Sequence, residues 1–304
     1  MADIIVIGGG TAGLTAALYA SRAGRDVVLI EKENTGGQIV YSPKVENYPG
    51  LPGISGADYA AALTEQAESF GVSIEYAEVL SVEQQGENFL VRCDSGSFEA
   101  GALILASGSA HRKAGLEKEE ELVGCGVSYC AVCDGAFCSG GEVAVMGGGN
   151  TALTDALFLT GICRKVTLIH RRDSFRAESA LVSRLQEKEN AELLLNATVT
   201  ELREADGTLQ GVVVRDLQTQ AERFLPLDGF FVAIGQTPQT EVFRGFVDMD
   251  EAGYLKAGED CLTSRKGVFA AGDCRTKAVR QLTTAAGDGA TAGLAACSYL
   301  DSRI

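Results

Sequence analysis

The sequence predicts an α/β fold in which one β-α-β unit occurs twice along the chain. The first copy starts with an apolar, β-branched run at residues 3–7, passes through a glycine-rich turn at 8–13, and ends with a second apolar run at 27–30. The same features return 139 residues later, with predicted strands at 143–146 and 166–169. Short apolar runs of this kind are typical of buried parallel strands joined by a crossover helix. We therefore expect two Rossmann-like, three-layer units.

The remaining elements follow the same division into two copies. Ala- and Leu-rich helices are predicted at 14–23 and at 153–160. Each unit is followed by a meander of alternating strands and then by a buried strand. The predicted strands are 79–84, 89–93, 97–100 and 103–106 after the first unit, and 198–204, 209–216, 222–226 and 230–234 after the second. The tail has an apolar segment at 268–273 and a long Ala-rich helix near 281–300.

Composition limits the classes of function. The chain has 304 residues, of which 26 are Lys or Arg and 41 are Asp or Glu, so its formal net charge is −15. Such acidity argues against nucleic acid as a partner, which needs a basic patch, and against docking on anionic membranes. The only two histidines, His111 and His170, exclude a His-rich metal site and disfavour a Ser-His-Asp hydrolase.

Cysteine usage and the N-terminus bear on the compartment. Nine cysteines spread over a long chain do not resemble the disulfide framework of a small secreted domain. The N-terminus enters an apolar strand directly, without a basic segment or a cleavage site. All apolar runs are far shorter than the ~20 residues that span a bilayer. We therefore expect a cytoplasmic protein with no membrane segment.

The first glycine-rich turn has the pattern Gly8-x-Gly10-x-x-Gly13, and Glu31 ends the next strand. Glycines at this spacing permit a tight turn, close approach of a pyrophosphate to the backbone, and close packing of helix on strand. The N-terminus of the following helix offers free N–H groups to phosphate. Glu31 stands where a carboxylate accepts from a ribose hydroxyl. The motif therefore predicts an adenine nucleotide with a free ribose, such as FAD.

The second glycine-rich turn, at residues 147–152, differs where the ribose is recognised. His170 occupies the position that Glu31 has in the first copy, and three arginines follow it. A carboxylate would repel a 2′-phosphate, whereas guanidinium groups bind it bidentately. We therefore expect NADPH in the second copy. The three arginines are Arg171, Arg172 and Arg176.

A C-x-x-C pair precedes the second copy. Cys130 and Cys133 are three residues apart and are followed by Asp134 and Gly135. Two cysteines at this spacing close a small redox disulfide, and their surroundings lower the thiol pKa values. The neighbouring carboxyl of Asp134 is placed to pass a proton to or from a leaving thiol. The pattern predicts a redox-active dithiol.

Metal sites are the alternatives for these cysteines. The spacing Cys125-x4-Cys130-x2-Cys133 matches the start of a plant-type iron–sulfur motif. Cys163 is a distant candidate for the fourth ligand, but it lies in the helix-to-strand loop of the second copy. A zinc site that uses Cys138 instead has a single C-x-x-C knuckle. We therefore favour the redox disulfide and expect no metal.

Over essentially its full length the chain resembles the low-molecular-weight, bacterial-type thioredoxin reductases. The position of the C-x-x-C just before the second copy is specific, because the larger glutathione-reductase-like enzymes carry their pair near the first copy. Those enzymes also add a dimerisation domain, for which 304 residues leave no room. The segments that carry the resemblance are 8–13, 36–38, 46–50, 130–135, 147–152, 170–177 and 270–273, with 280–281.

The resemblance implies a discontinuous FAD-binding domain, residues 1–112 plus 243–304, with an NADPH-binding domain, residues 113–242, inserted into it. The second domain carries the C-x-x-C. By motif or by resemblance, the residues expected to bind FAD are Gly8, Gly10, Thr11, Ala12, Gly13, Glu31, Gly37, Gln38, Asn47, Val79, Ala106, Ser107, Gly108, Gly272, Asp273, Arg280 and Gln281. Those expected to bind NADPH are Gly148, Gly149, Asn150, Thr151, His170, Arg171, Arg172, Arg176, Ile234 and Gly235.

The resemblance also implies a reaction and a role for each catalytic residue. Electrons would pass from NADPH through FAD and the dithiol to the disulfide of thioredoxin or a thioredoxin-like protein. Cys133 would be the thiol nearest the flavin, Cys130 would attack the partner disulfide, and Asp134 would be the acid. The family acts as a homodimer.

Two interpretations from other classes remain beside a reductase: a dithiol oxidase on the same scaffold, and a non-enzymatic flavin sensor or binding protein. A dithiol oxidase would use oxygen and no NADPH, which the arginine cluster disfavours. A non-enzymatic flavin sensor would not need the C-x-x-C followed by Asp134. The identity of the partner stays open, because a glutaredoxin-like or other small dithiol protein needs the same chemistry.

Overall fold

The two predicted β-α-β units lie in separate structural units of the computed structural model, which describes residues 1–42, 44–51 and 53–303. Unit 1 consists of Met1–Ala110 and the segment that starts at Thr237, and unit 2 is His111–Gln236. The chain thus leaves unit 2 before residue 242, because Thr240 is already buried in unit 1 and donates to the Gly253 carbonyl (2.6 Å). Residues 43, 52 and 304 of the expected FAD domain lie outside the described residues.

The strands are β1 (Ala2–Ile7), β2 (Val27–Glu31), β3 (Ser73–Tyr76), β4 (Val79–Gln85), β5 (Asn88–Cys93), β6 (Gly96–Leu105), β7 (Ser109–His111), β8 (Val127–Ser128), β9 (Glu142–Met146), β10 (Lys165–Ile169), β11 (Ala191–Leu194), β12 (Ala197–Ala205), β13 (Thr208–Asp216), β14 (Glu222–Pro226), β15 (Gly229–Val232), β16 (Gln236–Pro238) and β17 (Val268–Ala270). The α-helices are α1 (Thr11–Arg22), α2 (Gly56–Ser69), α3 (Ala131–Asp134), α4 (Asn150–Thr160), α5 (Ser179–Gln186) and α6 (Leu282–Asp301). Short 3-10 helices lie at Gly37–Tyr41, Gly135–Cys138, Glu241–Phe243 and Gly272–Cys274.

Unit 1 is built on one seven-stranded sheet. Its order is β3-β2-β1-β6-β5-β4, and β17 also pairs with β6. The strands β3, β2, β1, β6 and β17 pair in parallel, whereas β4 and β5 form the antiparallel meander. Because β1 and β2 are parallel neighbours, their carboxyl ends lie at the same edge of the sheet. The glycine-rich turn begins at this edge, directly after β1.

Both faces of the unit 1 sheet are covered. Ile4 and Val6 of β1 face a core shared with α1 and α6, and Ile5 and Ile7 face a second core on the opposite side. Alternate side chains of a strand point to opposite faces, so a strand covered on both faces is apolar throughout. Gly289 of α6 lies so close to α1 that a Cβ there would come within 2.4 Å of a backbone oxygen. The long Ala-rich helix predicted near 281–300 is therefore a packing partner of α1.

Unit 2 repeats the plan with a five-stranded parallel sheet of order β11-β10-β9-β15-β8. An antiparallel sheet of β12, β13 and β14 accompanies it. The C-x-x-C lies directly after β8 and forms the one-turn helix α3. Helix α4 follows β9, as α1 follows β1, so the glycine-rich turn again sits at the carboxyl edge of a parallel sheet.

The structure confirms the fold class and differs from the predicted elements at several places. The strands predicted at 97–100 and 103–106 are one continuous strand, β6, because its first part pairs with β5 and its second part with β1 and β17. Helix α4 starts at Asn150, three residues before the predicted start. Helices α2, α3 and α5 have no counterpart among the predicted elements.

Candidate active site

The glycines of the first turn have two different roles. A Cβ on Gly8, whose φ is +108°, would come within 2.4 Å of the Ala106 oxygen, and one on Gly13 within 1.8 Å of the Gly8 oxygen. These two positions therefore need glycine for the turn and for packing. A Cβ on Gly10 would meet no described atom closer than 3.9 Å. Gly10 caps α1 without a side-chain hydrogen bond, so the helix starts at open space.

Glu31 lies beside this turn. Its carboxylate accepts the N–H of Gly9 (2.6 Å) on one oxygen and the N–H of Glu33 (3.0 Å) on the other. Each carboxylate oxygen has a second lone pair, so the group keeps the capacity to accept from a ribose hydroxyl. The backbone contacts hold the carboxylate against the glycine turn.

Other residues expected to bind FAD gather around the same turn. Gly36 pairs with the turn, and its N–H donates to the Gly9 oxygen (2.8 Å), which places Gly37 and Gln38 next to it. Gly272 packs so closely that a Cβ would come within 2.7 Å of the Ala12 side chain.

A second group of these residues comes from distant parts of the chain. The Asn47 amide donates to the Gln281 side chain (3.1 Å), which joins two residues 234 positions apart. Arg280 lies over the Tyr254 ring and donates to the Asp273 backbone oxygen (3.3 Å). Val79 stands apart from this group and packs against the second core.

Two buried polar atoms in unit 1 test whether these residues fit a cofactor. Asp273 Oδ1 and Ser107 Oγ are shielded from solvent and find no hydrogen-bond partner among the described residues. Burial also raises the pKa of Asp273. A buried polar atom without a partner is costly unless a bound group completes it. Both atoms belong to residues expected to bind FAD, so unit 1 fits that cofactor.

The predicted dithiol is a disulfide in the structure. Cys130 and Cys133 are bonded to each other, with their Cα atoms 5.3 Å apart. Cys130 caps α3, and its sulfur accepts the backbone N–H of Cys133 (3.2 Å). Both cysteines are half-buried. Of the two sulfurs, only that of Cys130 is given a backbone donor by α3, which stabilises a thiolate at that position.

Asp134 lies next to the disulfide, and Ser128 holds it. The Ser128 hydroxyl donates to Asp134 Oδ2 (2.5 Å) and accepts the N–H of Cys130 (3.0 Å). The other carboxyl oxygen, Oδ1, is buried and has no partner within the described part of the chain. Burial raises the pKa of Asp134, and the hydrogen bond from Ser128 opposes that rise. A carboxyl that retains its proton more readily than usual is suited to act as an acid.

In unit 2 the glycine turn packs against His170. A Cβ on Gly148 would come within 2.1 Å of the His170 ring, whereas a Cβ on Gly149 would have no described atom within 4 Å. His170 is buried, stacks on Phe175, and contacts the Ser174 oxygen through Nε2 (3.1 Å). Burial lowers the pKa of His170. The His170 ring is therefore neutral and covers one side of the glycine turn. The position that Glu31 occupies in the first copy carries no negative charge here.

The arginine cluster follows His170 in the chain and is exposed to solvent. The side chains of Arg171, Arg172 and Arg176 are exposed, and within the described residues none forms an ion pair. The backbone N–H of Arg176 donates to the Gly148 oxygen (2.9 Å), which fixes the cluster to the glycine turn. Unpaired guanidinium groups in so acidic a chain fit a 2′-phosphate.

The remaining residues expected to bind NADPH frame the same turn. The Asn150 side-chain amide donates to the Glu178 carboxylate (2.9 Å), and its oxygen accepts the backbone N–H of Glu178 (2.9 Å). Thr151 lies in the exposed first turn of α4. Gly235, which follows Ile234, has φ +113° and accepts the Arg112 N–H (2.9 Å).

Sequence reasoning missed two polar residues near the dithiol. Ser128 precedes Cys130 by two residues, and no motif marks it. Glu119 is buried and accepts the Tyr129 hydroxyl (2.8 Å), although it looks like one member of an acidic surface run in the sequence. Strand β8 has only two residues and both are buried, so no alternation of buried and exposed positions marks Ser128 in the sequence.

The described residues hold neither a metal-binding cluster nor a membrane-spanning helix. No group of three or more His, Cys, Asp or Glu side chains there is arranged to hold a metal ion. Within residues 1–42, 44–51 and 53–303, no helix is long and apolar enough to cross a membrane.

Comparisons with known proteins agree with this geometry. The family model described as pyridine nucleotide-disulphide oxidoreductase matches residues 2–289. The thioredoxin reductase of Listeria monocytogenes is 41% identical over 299 residues, covering 98% of this chain and 94% of that protein. That of Bacillus subtilis is 40% identical over 299 residues, covering 98% and 95%. The crystal structure of thioredoxin reductase from Streptococcus pyogenes superposes with a TM-score of 0.96 at 38% identity, covering 99% of each chain. The chain therefore belongs to the pyridine nucleotide-disulphide oxidoreductase family and, within it, to the thioredoxin reductases.

Proposed function

We propose that this protein uses NADPH to reduce the disulfide of thioredoxin or a thioredoxin-like protein, through FAD and the Cys130–Cys133 dithiol. The observation that carries the proposal is the disulfide at the start of α3, with the buried carboxyl of Asp134 beside it. Relatives that match nearly the whole chain are thioredoxin reductases. An oxidase that takes no NADPH would have no use for the exposed arginine cluster. A flavin sensor would have no use for the dithiol.

The family implies FAD and NADPH as cofactors. When bound, FAD accepts the hydride of NADPH and returns two electrons to a disulfide. We assign FAD to unit 1, with Gly10 leaving room for its pyrophosphate and Asp273 and Ser107 completing their hydrogen bonds on it. We assign NADPH to unit 2, where the open backbone at Gly149 and the arginine cluster would receive its phosphates.

The dithiol residues have separate roles in the proposal. Cys130 is the nucleophile toward the partner disulfide, because its sulfur is the one that accepts a backbone N–H. Cys133 is then the thiol that exchanges electrons with the flavin. Asp134 supplies the proton that a leaving thiolate needs, which agrees with its buried carboxyl and raised pKa.

Apolar side chains around the disulfide support a protein substrate. Val132, Phe137 and Phe158 are 47%, 48% and 41% exposed, and Phe158 packs next to Gly135. Exposed apolar groups clustered at a reactive site are typical of protein docking surfaces. The names of the relatives make a thioredoxin the first candidate partner.

We also propose a homodimer in the cytoplasm. All nine cysteines lie in the described part of the chain, and seven of them are free thiols. Free thiols in this number suit a reducing compartment. The homodimer rests on the family resemblance and is tested by light scattering of the purified protein.

One anaerobic experiment separates the three readings of the chain. The oxidised, FAD-loaded protein is mixed with NADPH under nitrogen, with and without an oxidised thioredoxin or a glutaredoxin-like protein. A reductase loses its flavin absorbance and then consumes NADPH only when a disulfide protein is present. A dithiol oxidase would not be reduced by NADPH under nitrogen, and it would consume oxygen with a dithiol substrate once air is admitted. Absence of flavin reduction in protein that retains FAD would refute the proposed function.

A further inference from the structure

Ser128 is buried directly behind the dithiol, and its hydroxyl joins two parts of the site. The Ser128 oxygen accepts the backbone N–H of Cys130 at 3.0 Å and lies 2.5 Å from Asp134 Oδ2. It is also 3.3 Å from the Cys130 carbonyl oxygen. A hydroxyl has one proton, and the shorter contact takes it, so Ser128 donates to Asp134.

This arrangement leaves the two oxygens of Asp134 unequal. Oδ2 is held by Ser128, whereas Oδ1 is buried without a partner among the residues that the structure describes. The backbone N–H of Asp134 donates to the Cys130 oxygen (3.1 Å), so the main chain of the residue is fixed as well. With its backbone and one oxygen fixed, only the other oxygen remains to carry a proton that can be transferred.

We propose that Ser128 is a positioning residue for the disulfide exchange: it fixes Asp134 Oδ2 so that Oδ1 delivers the proton to the leaving thiolate. The proposal rests on the proposed function, in which Cys130 attacks a partner disulfide. In that step the Cys130 thiolate forms a bond to one partner sulfur, and the partner S–S bond breaks. The leaving sulfur keeps the electron pair and takes the Oδ1 proton. The Cys133 thiolate then attacks Cys130 and releases the second partner thiolate, which takes its proton from water.

The choice of disulfide probe makes this role measurable. Bis(2-hydroxyethyl) disulfide releases an ordinary alkyl thiol, which needs a proton as it leaves. 5,5′-Dithiobis(2-nitrobenzoate) releases an acidic aromatic thiol, which leaves readily as the anion. A residue that acts by placing an acid therefore affects the first probe and spares the second. A residue that merely supports the fold affects both.

The test uses the purified full-length chain, reduced with dithiothreitol and desalted under nitrogen, and follows exchange with each probe from pH 5 to 9. We expect Asp134→Asn to slow the alkyl probe about 100-fold and Ser128→Ala about tenfold, with little change for the aromatic probe. Ser128→Thr, which keeps the hydroxyl, should restore the rate. Ser139→Ala is the matched control, because Ser139 is exposed and five residues from Asp134.

The pH dependence gives a second readout. A hydrogen bond donated to a carboxylate lowers its pKa. The part of the rate–pH profile that depends on Asp134, called its limb here, should therefore shift to higher pH by about one unit in Ser128→Ala. That limb is identified by its absence in Asp134→Asn. The other titratable groups on neighbouring elements are Asp155 of α4, whose pKa burial raises to about 6, and Cys138 with its neighbours Cys163 and Asp228. Burial raises the pKa of Cys138 to about 11, so it stays protonated over this range.

The outcomes distinguish the two levels of the proposal. The positioning role would be overturned if Ser128→Ala and Ser139→Ala exchanged with the alkyl probe at equal rates. It would also be overturned if Ser128→Ala slowed exchange with both probes by the same factor. If the reduced wild-type protein exchanges with neither probe, the proposed function itself fails.

Discussion

The hydroxyl of Tyr129 donates a 2.8 Å hydrogen bond to the carboxylate of Glu119, which is only 2% exposed. The same carboxylate accepts the backbone N–H groups of residues 114–116. Because Tyr129 directly precedes Cys130, Glu119 ties the start of unit 2 to the segment that carries the redox pair. Burial, together with the hydrogen bond to Glu119, raises the pKa of the Tyr129 phenol.

Removal of this hydroxyl should destabilise unit 2. We expect Tyr129→Phe to lower the free energy of unfolding by about 1.5–3 kcal/mol, the usual effect of losing a hydrogen bond to a charged group. A raised phenol pKa contributes stability that is full below the ordinary value of 10.0 and is lost as pH rises through the folded value. The difference from wild type should therefore hold at pH 7–9 and shrink above pH 10. Urea unfolding of the wild type and the variant at each pH measures this difference in the free energy of unfolding. Tyr76→Phe, at an exposed position, is the control.

Substitution of the open glycines should separate the two cofactors. Gly10→Val leaves the turn folded, because a Cβ there meets no described atom within 3.9 Å, but it fills the space for the FAD pyrophosphate. The purified variant should be colourless. Gly149→Val is the reciprocal control and should retain FAD while weakening NADPH binding. Full flavin content in Gly10→Val would refute the FAD site in unit 1.

The arginine cluster should decide between NADPH and NADH. Each lost contact to the 2′-phosphate should weaken binding by about 1.5–3 kcal/mol. Arg171→Ala combined with Arg176→Ala should therefore raise the KM for NADPH strongly and leave NADH almost unchanged. Arg203→Ala, an exposed arginine paired with Glu201, is the control. If both cofactors lose affinity equally, the cluster does not recognise the phosphate.

Loss of either thiol should stop disulfide reduction without stopping flavin reduction. Cys130→Ser and Cys133→Ser each remove one partner of the dithiol, but hydride uptake from NADPH requires no thiol. Stopped-flow spectra should show flavin bleaching in both variants and no turnover of a disulfide protein. Cys125→Ser, which removes an exposed free thiol, should behave as wild type. A variant that retains FAD yet is not reduced by NADPH would contradict this division.

A buried ion cluster should control acid stability in unit 1. Asp288 accepts from Arg275 through Nη2 (2.7 Å) and from Lys277 (2.8 Å), and the Arg275 side chain is 1% exposed. Burial alone would raise the pKa of Asp288, but the hydrogen bonds from Arg275 and Lys277 outweigh it and hold the pKa below its ordinary 3.8.

Asp288→Asn removes the buried counter-charge of Lys277 and leaves Arg275 with only the exposed carboxylate of Glu259, at 3.3 Å. We expect a loss of about 3–5 kcal/mol in the free energy of unfolding at pH 7. A lowered pKa contributes stability that is present above the ordinary value and is lost as pH falls through the folded value. The difference from wild type should therefore narrow below about pH 4. Chemical unfolding at pH 7 and pH 3 checks this, with the exposed Asp248→Asn as control. An unchanged stability at pH 7 would show that the cluster contributes nothing net.

The amino-acid sequence by itself determined the two β-α-β units, the dithiol and the family. Each depends on local patterns: apolar runs, glycines at fixed spacing, and two cysteines three residues apart. These patterns are local because backbone geometry acts over a few residues. The roles of the individual cofactor-binding residues, which no contact in this structure tests, stay predictions.

Only the tertiary structure decided which distant groups meet. The strand β6 is continuous because β1 and β17 pair with the residues that follow its contact with β5, which no local pattern reveals. Asp288 and Arg275 are buried together although both read as surface charges in the sequence. Ser128 and Asp134 lie six residues apart, a spacing with no motif, and meet because β8 and α3 turn toward each other. The physical reason is common to all three: burial and pairing are set by the whole packed fold, and a sequence pattern records only the face that each residue presents within its own element.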